Sequence, residues 1–438
     1  MSRITAILST IALVAFAIPA AAQDEGPPPI PVSPRPLLSA DGVAAVSGVN
    51  AFTLDLYKAS LTPAENLFLS PASVSTAIGL AYRGAQGRTA DEIRATLHYP
   101  AGPRDYGAAN GEVLRALQLH TGARTVNIAN ALWVQQGMTF RPDYLADMRS
   151  AYGAALNEID FRADRETARL RINAWVEEQT GNRIRDLLQP LDLDEYTRAV
   201  LVNTIYVKAP WASQFSPAAT RDQPFALLDR KRISVPLMTQ HGWFRTIARG
   251  GVQAISLPWQ GGELEMIILL PKKAAALLKV EQALTAESLD GWQKALNAAP
   301  GVETILTLPR FHLQWRSDLA SILGSMGMKT AFGDDADFGA MKPFDPRSNS
   351  TEDHGLQIKH VIHQTFLDVD ENGAEAAAAT AVVMDVVTSG RRNAPPPPPP
   401  VIFRADRPFL FLIRETRTGA ILFMGRFVAP VAAAPAQP

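Results

Sequence analysis

The order of hydrophobic patterns along the chain predicts an α+β protein. Segments with apolar residues at three- and four-residue steps come mostly first, and runs rich in β-branched and aromatic residues come mostly later. Several of the later runs are apolar almost throughout, as strands covered on both faces must be. No repeat period is present.

The elements follow in order. Val43, Val46, Val49, Phe52 and Leu56 recur at helical spacing. Ser70-Pro71 pairs an N-cap residue with proline at the first helical position, opening a helix through Ala72–Tyr82. Thr89-Ala-Asp-Glu92 has the form of a capping box and predicts a second short helix starting there. Asp164–Thr180 reads as a long amphipathic helix, with Ala168, Ile172, Trp175 and Val176 near one face and Gly181 as its stop. Strands are predicted at Val126–Val134, Ala199–Val207, Met266–Leu270, Thr304–Leu308, Ile358–Val369, Phe409–Ile413 and Ile421–Phe427.

The ends are different in kind. Residues 1–22 carry Arg3, an apolar stretch from Ile7 to Ile18 and Ala20-Ala21-Ala22, the pattern of a secretory signal peptide. The mature protein is therefore expected to be secreted or periplasmic, with no membrane attachment once the signal is cleaved. Residues 23–40 hold Pro27, Pro28, Pro29, Pro31, Pro34 and Pro36, a density that disfavours helix and central strand and suits a stiff exposed linker. Residues 41–430 look continuously foldable, and 431–438 are expected to be a disordered tail.

Composition removes several function classes. With 42 Lys+Arg against 43 Asp+Glu, the net charge of −1 lacks the footprint of a nucleic-acid binder. A hydrophobic content of 47% excludes wholesale disorder. The absence of cysteine excludes disulfide staples, thiolate nucleophiles and thiolate metal sites. No Gly-x-Ser-x-Gly, P-loop or Gly-x-Gly-x-x-Gly occurs, so no local motif supports an enzyme. Asp368-Val-Asp370-Glu-Asn372-Gly373 imitates the first half of a calcium loop, but Ala379 stands where a bidentate Glu is needed. His360 and His363 have helical ligand spacing inside a strand-like run, which points them to opposite faces. Asp334, Asp335 and Asp337 read as a solvated acidic turn. Neither a metal nor a cofactor is expected.

The long connection from about residue 373 to 402 stands out. It runs Ala-rich, then apolar, then Ser-Gly-Arg-Arg-Asn, then six prolines from Pro395 to Pro400, and it joins two convincing strands. Connections of this length inside a compact domain are usually functional. Ala374 to Val387 contains no proline or glycine and two charges, Glu375 and Asp385, which share a face if the segment is extended. The other face would be Ala374, Ala376, Ala378, Thr380, Val382 and Met384, suited to a central strand. An exposed Ala-rich helix is the alternative, because alanine is the best helix former.

From about Asp41 to Pro430 the sequence resembles the serpin family. Asn66-Leu-Phe-Leu-Ser70-Pro71 with Gly84-Ala-Gln-Gly87 is similar to its early helical region. Leu201-Val-Asn203-Thr-Ile-Tyr-Val-Lys208 with Trp211 and Phe215 is similar to the third strand of its main sheet, and Leu308-Pro309-Arg310 to the start of a later strand. Val369-Asp-Glu371-Asn-Gly373-Ala-Glu375-Ala-Ala-Ala-Ala-Thr380 resembles the inhibitory hinge. Phe403-Arg-Ala-Asp-Arg-Pro408-Phe409 and Phe423-Met-Gly425-Arg resemble the C-terminal signature.

The resemblance implies about nine helices and three β-sheets, with the long connection as an exposed reactive-centre loop. It implies a protein that is not an enzyme but a suicide substrate of serine proteases. Cleavage leaves an acyl-enzyme, and residues 374–387 then insert into the main sheet with the protease attached. Its hinge would be Glu371, Gly373, Ala374, Glu375, Ala376, Ala377, Ala378, Ala379 and Thr380. Arg310 and Glu371 would form an ion pair at the top of the sheet, above Trp211. Ser70, Asn203 and His363 would form a hydrogen-bonding cluster at its centre. Counting seventeen residues from Glu371 sets the scissile bond at Val387–Thr388, which suits an elastase-like protease. Arg391 or Arg392 would suit a trypsin-like one and lengthen the inserted arm. Asn372 and Ala374 depart from the family's usual acidic and Thr/Ser residues, and both remain compatible with insertion. The implied partner is a protease in a covalent acyl complex with a monomer. A non-inhibitory binding or chaperone role is the alternative, although no bulky, charged or proline residue lies between Ala376 and Ala381.

Overall fold

The computed structural model describes residues 38–121, 124–341, 356–374 and 398–430. The predicted signal peptide, the proline-rich stretch through residue 37, most of the long connection and the residues from 431 on lie outside the described residues.

Six helices form the first part of the chain: α1 (Ala40–Ala59), α2 (Pro71–Tyr82), α3 (Gly87–Thr96), α4 (Pro103–Leu117), α5 (Pro142–Tyr152) and α6 (Arg165–Gln179). Three more follow: α7 (Leu277–Ala283), α8 (Ala286–Ala298) and α9 (Ala320–Met326). At α2 the local signal holds, because Ser70 Oγ accepts from the Ser73 N–H and Pro71 occupies the first turn. At α6, Asp164 accepts from the Thr167 N–H at 2.9 Å, and Gly181 ends the helix at φ +59°.

At α3 the predicted capping box is not used. The helix starts at Gly87, with Gln86 rather than Thr89 at the N-cap, three residues early and with no side-chain cap. Thr89 Oγ1 instead accepts from the Asp337 N–H at 2.9 Å, and Glu92 accepts from the Lys329 and Thr330 N–H groups at 2.9 and 2.7 Å. Both side chains of the apparent box are claimed by a distant segment. The four orphan N–H groups of one helix are thus not the strongest local demand on them.

The strands up to the middle of the chain are β1 (Leu67–Leu69), β2 (Leu119–Thr121), β3 (Arg124–Gln135), β4 (Ala155–Ile159), β5 (Ala199–Pro210), β6 (Arg221–Ala226), β7 (Arg232–Arg249), β8 (Val252–Pro258) and β9 (Leu264–Pro271). The later ones are β10 (Gly301–Pro309), β11 (Phe311–Asp318), β12 (Ile362–Val369), β13 (Gly373–Ala374), β14 (Val401–Arg404), β15 (Phe409–Glu415) and β16 (Ile421–Phe427). β12 is shorter than the predicted Ile358–Val369 run. Asp318 binds the Val361 N–H at 3.0 Å and the His360 ring at 2.6 Å, which takes both residues out of the ladder.

The strands make a seven-stranded main sheet in the order β11-β12-β13-β5-β3-β2, with β4 on β3, and a nine-stranded network. That network divides at β7. The first part of β7 pairs with β6 and β10, and β10 carries β14; the last five residues of β7 pair with β8, which leads through β9, β15 and β16 to β1. One long strand therefore serves two sheets, giving three among the described residues.

The main sheet is covered on both faces. On one side it joins the large apolar core with α1, α2 and the β15–β16 hairpin. On the other, Ile172 and Val176 of α6 pack with Ala131, Trp133 and Val202 of the sheet. Side chains alternate along each strand, so parity decides which of the two cores a residue of this sheet enters.

Candidate functional site

β13 is the element on which the site is built. It lies between β5 and β12, antiparallel to both, with Gly373 opposite Pro210 and Ala374 opposite both Ala209 and Val369. β5 and β12 must then run in the same direction. Among the described residues they share no direct ladder, and β13 is the strand that separates them. Gly373 is required here. At φ +151° a Cβ on this residue would lie 2.3 Å from the Ala209 carbonyl oxygen and 2.6 Å from Pro210 Cα, contacts no side chain tolerates. Ala374 is fully buried.

The turn into β13 is held from several sides. Asp370 accepts from the Asn372 and Gly373 N–H groups at 2.7 and 3.1 Å, so the residue that suggested a calcium loop is spent on its own backbone. The Trp211 N–H donates to the Asn372 carbonyl at 2.8 Å and its indole N–H to the Asp370 carbonyl at 2.9 Å. Trp211 also stacks on Trp259, with ring centroids 5.0 Å apart and planes 3° from parallel. Glu371 receives two bonds from the Arg310 guanidinium, at 2.5 and 3.1 Å, and one from the Thr220 hydroxyl at 2.5 Å. Burial pushes the Glu371 carboxyl up, but the bonds from Arg310 and Thr220 outweigh it and hold it below the usual carboxylate range.

A second group of the predicted residues meets under the centre of the sheet. The Ser70 N–H donates to His363 Nε2 at 3.0 Å, and Ser70 Oγ donates to the Leu422 carbonyl at 2.7 Å. Asn203 does not touch either residue in these bonds. Its Oδ1 accepts from Ser73 Oγ, and its Nδ2 donates to Asn130 Oδ1 at 2.6 Å. Asn130 passes the chain on to the Tyr152 carbonyl at 2.9 Å. Thr365 Oγ1 donates to the Phe68 carbonyl at 2.5 Å, tying β12 to β1. Ser73, Asn130, Thr220 and Thr365 were not picked out from the sequence. Their partners are 22 to 297 residues away, where no local pattern reaches; only the register of β3 against β5, with Asn130 opposite Asn203, brings that pair together.

His363 accepts a backbone hydrogen bond at Nε2, so it is neutral and carries its proton on Nδ1. Burial pushes its imidazole down to about 4. An unfolded histidine titrates near 6.5, so the stability that depends on a neutral His363 is complete above about pH 6.5. It is lost as pH falls toward about 4, a change of about 3 kcal/mol from this one group. Chemical denaturation between pH 7 and 4 should show that loss in the native protein and not in His363→Gln, whose amide oxygen can still accept from Ser70. Parallel pH profiles for the two proteins would refute it.

The remaining predicted residues, Glu375, Ala376 to Thr380, Val387, Thr388, Arg391 and Arg392, lie outside the described residues. The expected strand alternation does not apply to His360 and His363: His360 lies outside β12 and is bound to Asp318, and His363 accepts from the Ser70 N–H under the sheet. Among the described residues no group of three or more potential ligands could hold a metal.

Comparison with known proteins decides the family. The profile of the family described as Serpin (serine protease inhibitor) matches residues 47–430. The chain belongs to the serpin family. An uncharacterised serpin-like protein of Thermococcus kodakarensis is 36% identical to this serpin over 386 residues, 88% of this chain and 85% of the relative. The leukocyte elastase inhibitor of Sus scrofa is 35% identical over 387 residues, 86% of this chain and 97% of the relative. Among solved structures, uncleaved ovalbumin superposes with a TM-score of 0.75 at 28% identity, covering 89% of this chain and all of the other. The family is one of protease inhibitors and not of enzymes.

Proposed function

We propose that this serpin is an exported suicide inhibitor of serine proteases, cut at Val387–Thr388 by an elastase-like enzyme. The protease serine attacks the Val387 carbonyl, the Thr388 amine leaves, and the N-terminal arm of the loop stays bound to the protease as an ester. Insertion of residues 374–387 between β5 and β12 then carries the protease away before water can hydrolyse that ester.

The observation that carries this reading is the position of β13, whose two residues already occupy the head of the path. Continuing its register sets Ala376 beside Val207 and Leu367, Ala378 beside Ile205 and Thr365, and Thr380 beside Asn203 and His363. Ala374, Leu367 and Val369 belong to the large core, so the even-numbered residues, which carry no charge, would enter it. Glu375 and Asp385 would fall on the other face, toward α6. The path ends its first half at the Ser70–His363 and Ser73–Asn203 bonds, which therefore have to accommodate the incoming Thr380. Export rests on the N-terminal sequence, and the elastase-like preference on the count from Glu371.

Incubation with pancreatic elastase is expected to yield a complex that survives denaturing electrophoresis, with a released fragment beginning at Thr388. A fragment beginning at Arg392 or Asn393 would move the cleaved bond to Arg391 or Arg392. Turnover to nicked protein with no complex would refute inhibition and favour a binding or chaperone role.

A further inference from the structure

One exposed face of the second sheet is used by nothing described so far. β14, β10 and β7 lie side by side there, and two rows of side chains cross them. Ile402 lies opposite Ile305, which lies opposite His241; one step along, Glu303 lies opposite Trp243. Ile402 is 63% exposed and Trp243 46%, while Phe403, Leu306 and Phe244 on the reverse face are buried. His241 Nε2 and Glu303 Oε1 are 3.0 Å apart between them. A large aromatic and a branched apolar side chain, held in place by a sheet and bordered by a polar His–Glu pair, have the make-up of a binding hot spot. Among the described residues only seven large apolar side chains are this exposed, and two share this face.

We infer that this face is a second foothold for the protease engaged on the loop, which would set an apolar patch against Trp243 and Ile402 and a hydrogen-bonding group against the His241–Glu303 pair. The foothold rests on the proposed cleavage site and on chain connectivity. Pro398 and Pro399 are exposed, and the chain passes from Pro400 directly into β14 at Val401. Thirteen residues, Thr388 through Pro400, separate the proposed bond from that strand. Fully extended they reach at most about 45 Å. A protease gripping the loop is thus tethered close to this face at an effective concentration near the millimolar range, where a weak contact suffices. The long arm leaves the protease orientational slack, and a surface contact beside the loop's exit removes it.

Trp243→Ala and Ile402→Ser change exposed side chains and leave the core intact. The probe is whichever of pancreatic elastase and trypsin cuts the loop. Its second-order association rate is expected to fall about tenfold with the double variant, while the split between covalent complex and nicked protein stays that of the native protein. The rate of cutting a synthetic peptide spanning 371–402 supplies the contact-free baseline. An association rate within twofold of the native protein's would overturn the foothold. Cutting that slows in the variant with no covalent complex in either protein would sustain the foothold and refute trapping. No cutting by either protease would overturn both. A native dimer at micromolar concentration that Trp243→Ala dissolves would assign the face to a second copy of the chain and also overturn it.

Discussion

Ala378→Pro is expected to turn the inhibitor into a substrate. Continuing the register of β13, residue 378 falls between Ile205 and Thr365 in what becomes a central strand. Proline there removes a ladder donor, and its ring cannot be paired on both sides. A defect costing about 3 kcal/mol at the advancing end slows insertion by roughly a hundredfold. Ester hydrolysis proceeds at its own rate, so nearly every cleavage then ends in release. The protease should cut the variant as fast as the native protein, and the covalent band should fall below about a tenth of the cleaved product. Ala378→Glu should do the same for a different reason. Its charge would have to enter the core face beside Ile205, which is 8% exposed. A full yield of complex from Ala378→Pro would refute insertion as the trapping step.

How much of this was legible in the sequence depended on the range of the interaction concerned. The cap at Ser70-Pro71 and the helix from Asp164 were legible because their partners lie three residues away. Thr89 and Glu92 present the same local pattern, yet their partners lie more than 230 residues on, so the helix starts elsewhere. The end of β12 was misjudged for the same reason, since Asp318 captures residues that are apolar enough to continue a strand. α4 and α5 each carry proline at the first helical position, a signal that was present at Pro103 and Pro142 and went unread. At the site, Glu371, Arg310, Trp211, Ser70, Asn203 and His363 came from family motifs, which implied the Arg310–Glu371 pair and a central cluster but not the individual bonds within that cluster. That Asn203 is linked to Ser73 and Asn130, and Ser70 to His363, is a property of the register between β3 and β5 and of the seat of α2 beneath them.

Nicking the loop at Val387–Thr388 should make the protein more stable, which is the reverse of what chain cleavage does to most domains. Among the described residues β5 and β12 are joined only through the two residues of β13, and no other described strand pairs with the rest of their facing edges. Those edges are already ordered and contribute nothing to the cost of filling the gap. The incoming strand is chosen to keep that cost low. Six of the eight residues from Ala374 to Ala381 are alanine, which gives up no side-chain freedom on burial. Val382 and Met384 then bring apolar surface worth roughly 1.5–3 kcal/mol apiece if fully buried. Pro395–Pro400 cannot follow them into a central strand, so an uncut loop has its far end held at β14 while its near end is drawn toward β5. The cut releases that constraint. A net gain of about 5 kcal/mol would raise the melting midpoint by on the order of 10 °C, and Ala378→Pro nicked at the same bond should recover little of it. Equal midpoints for intact and nicked native protein, scanned at one rate, would mean that the intact fold stores nothing for cleavage to release.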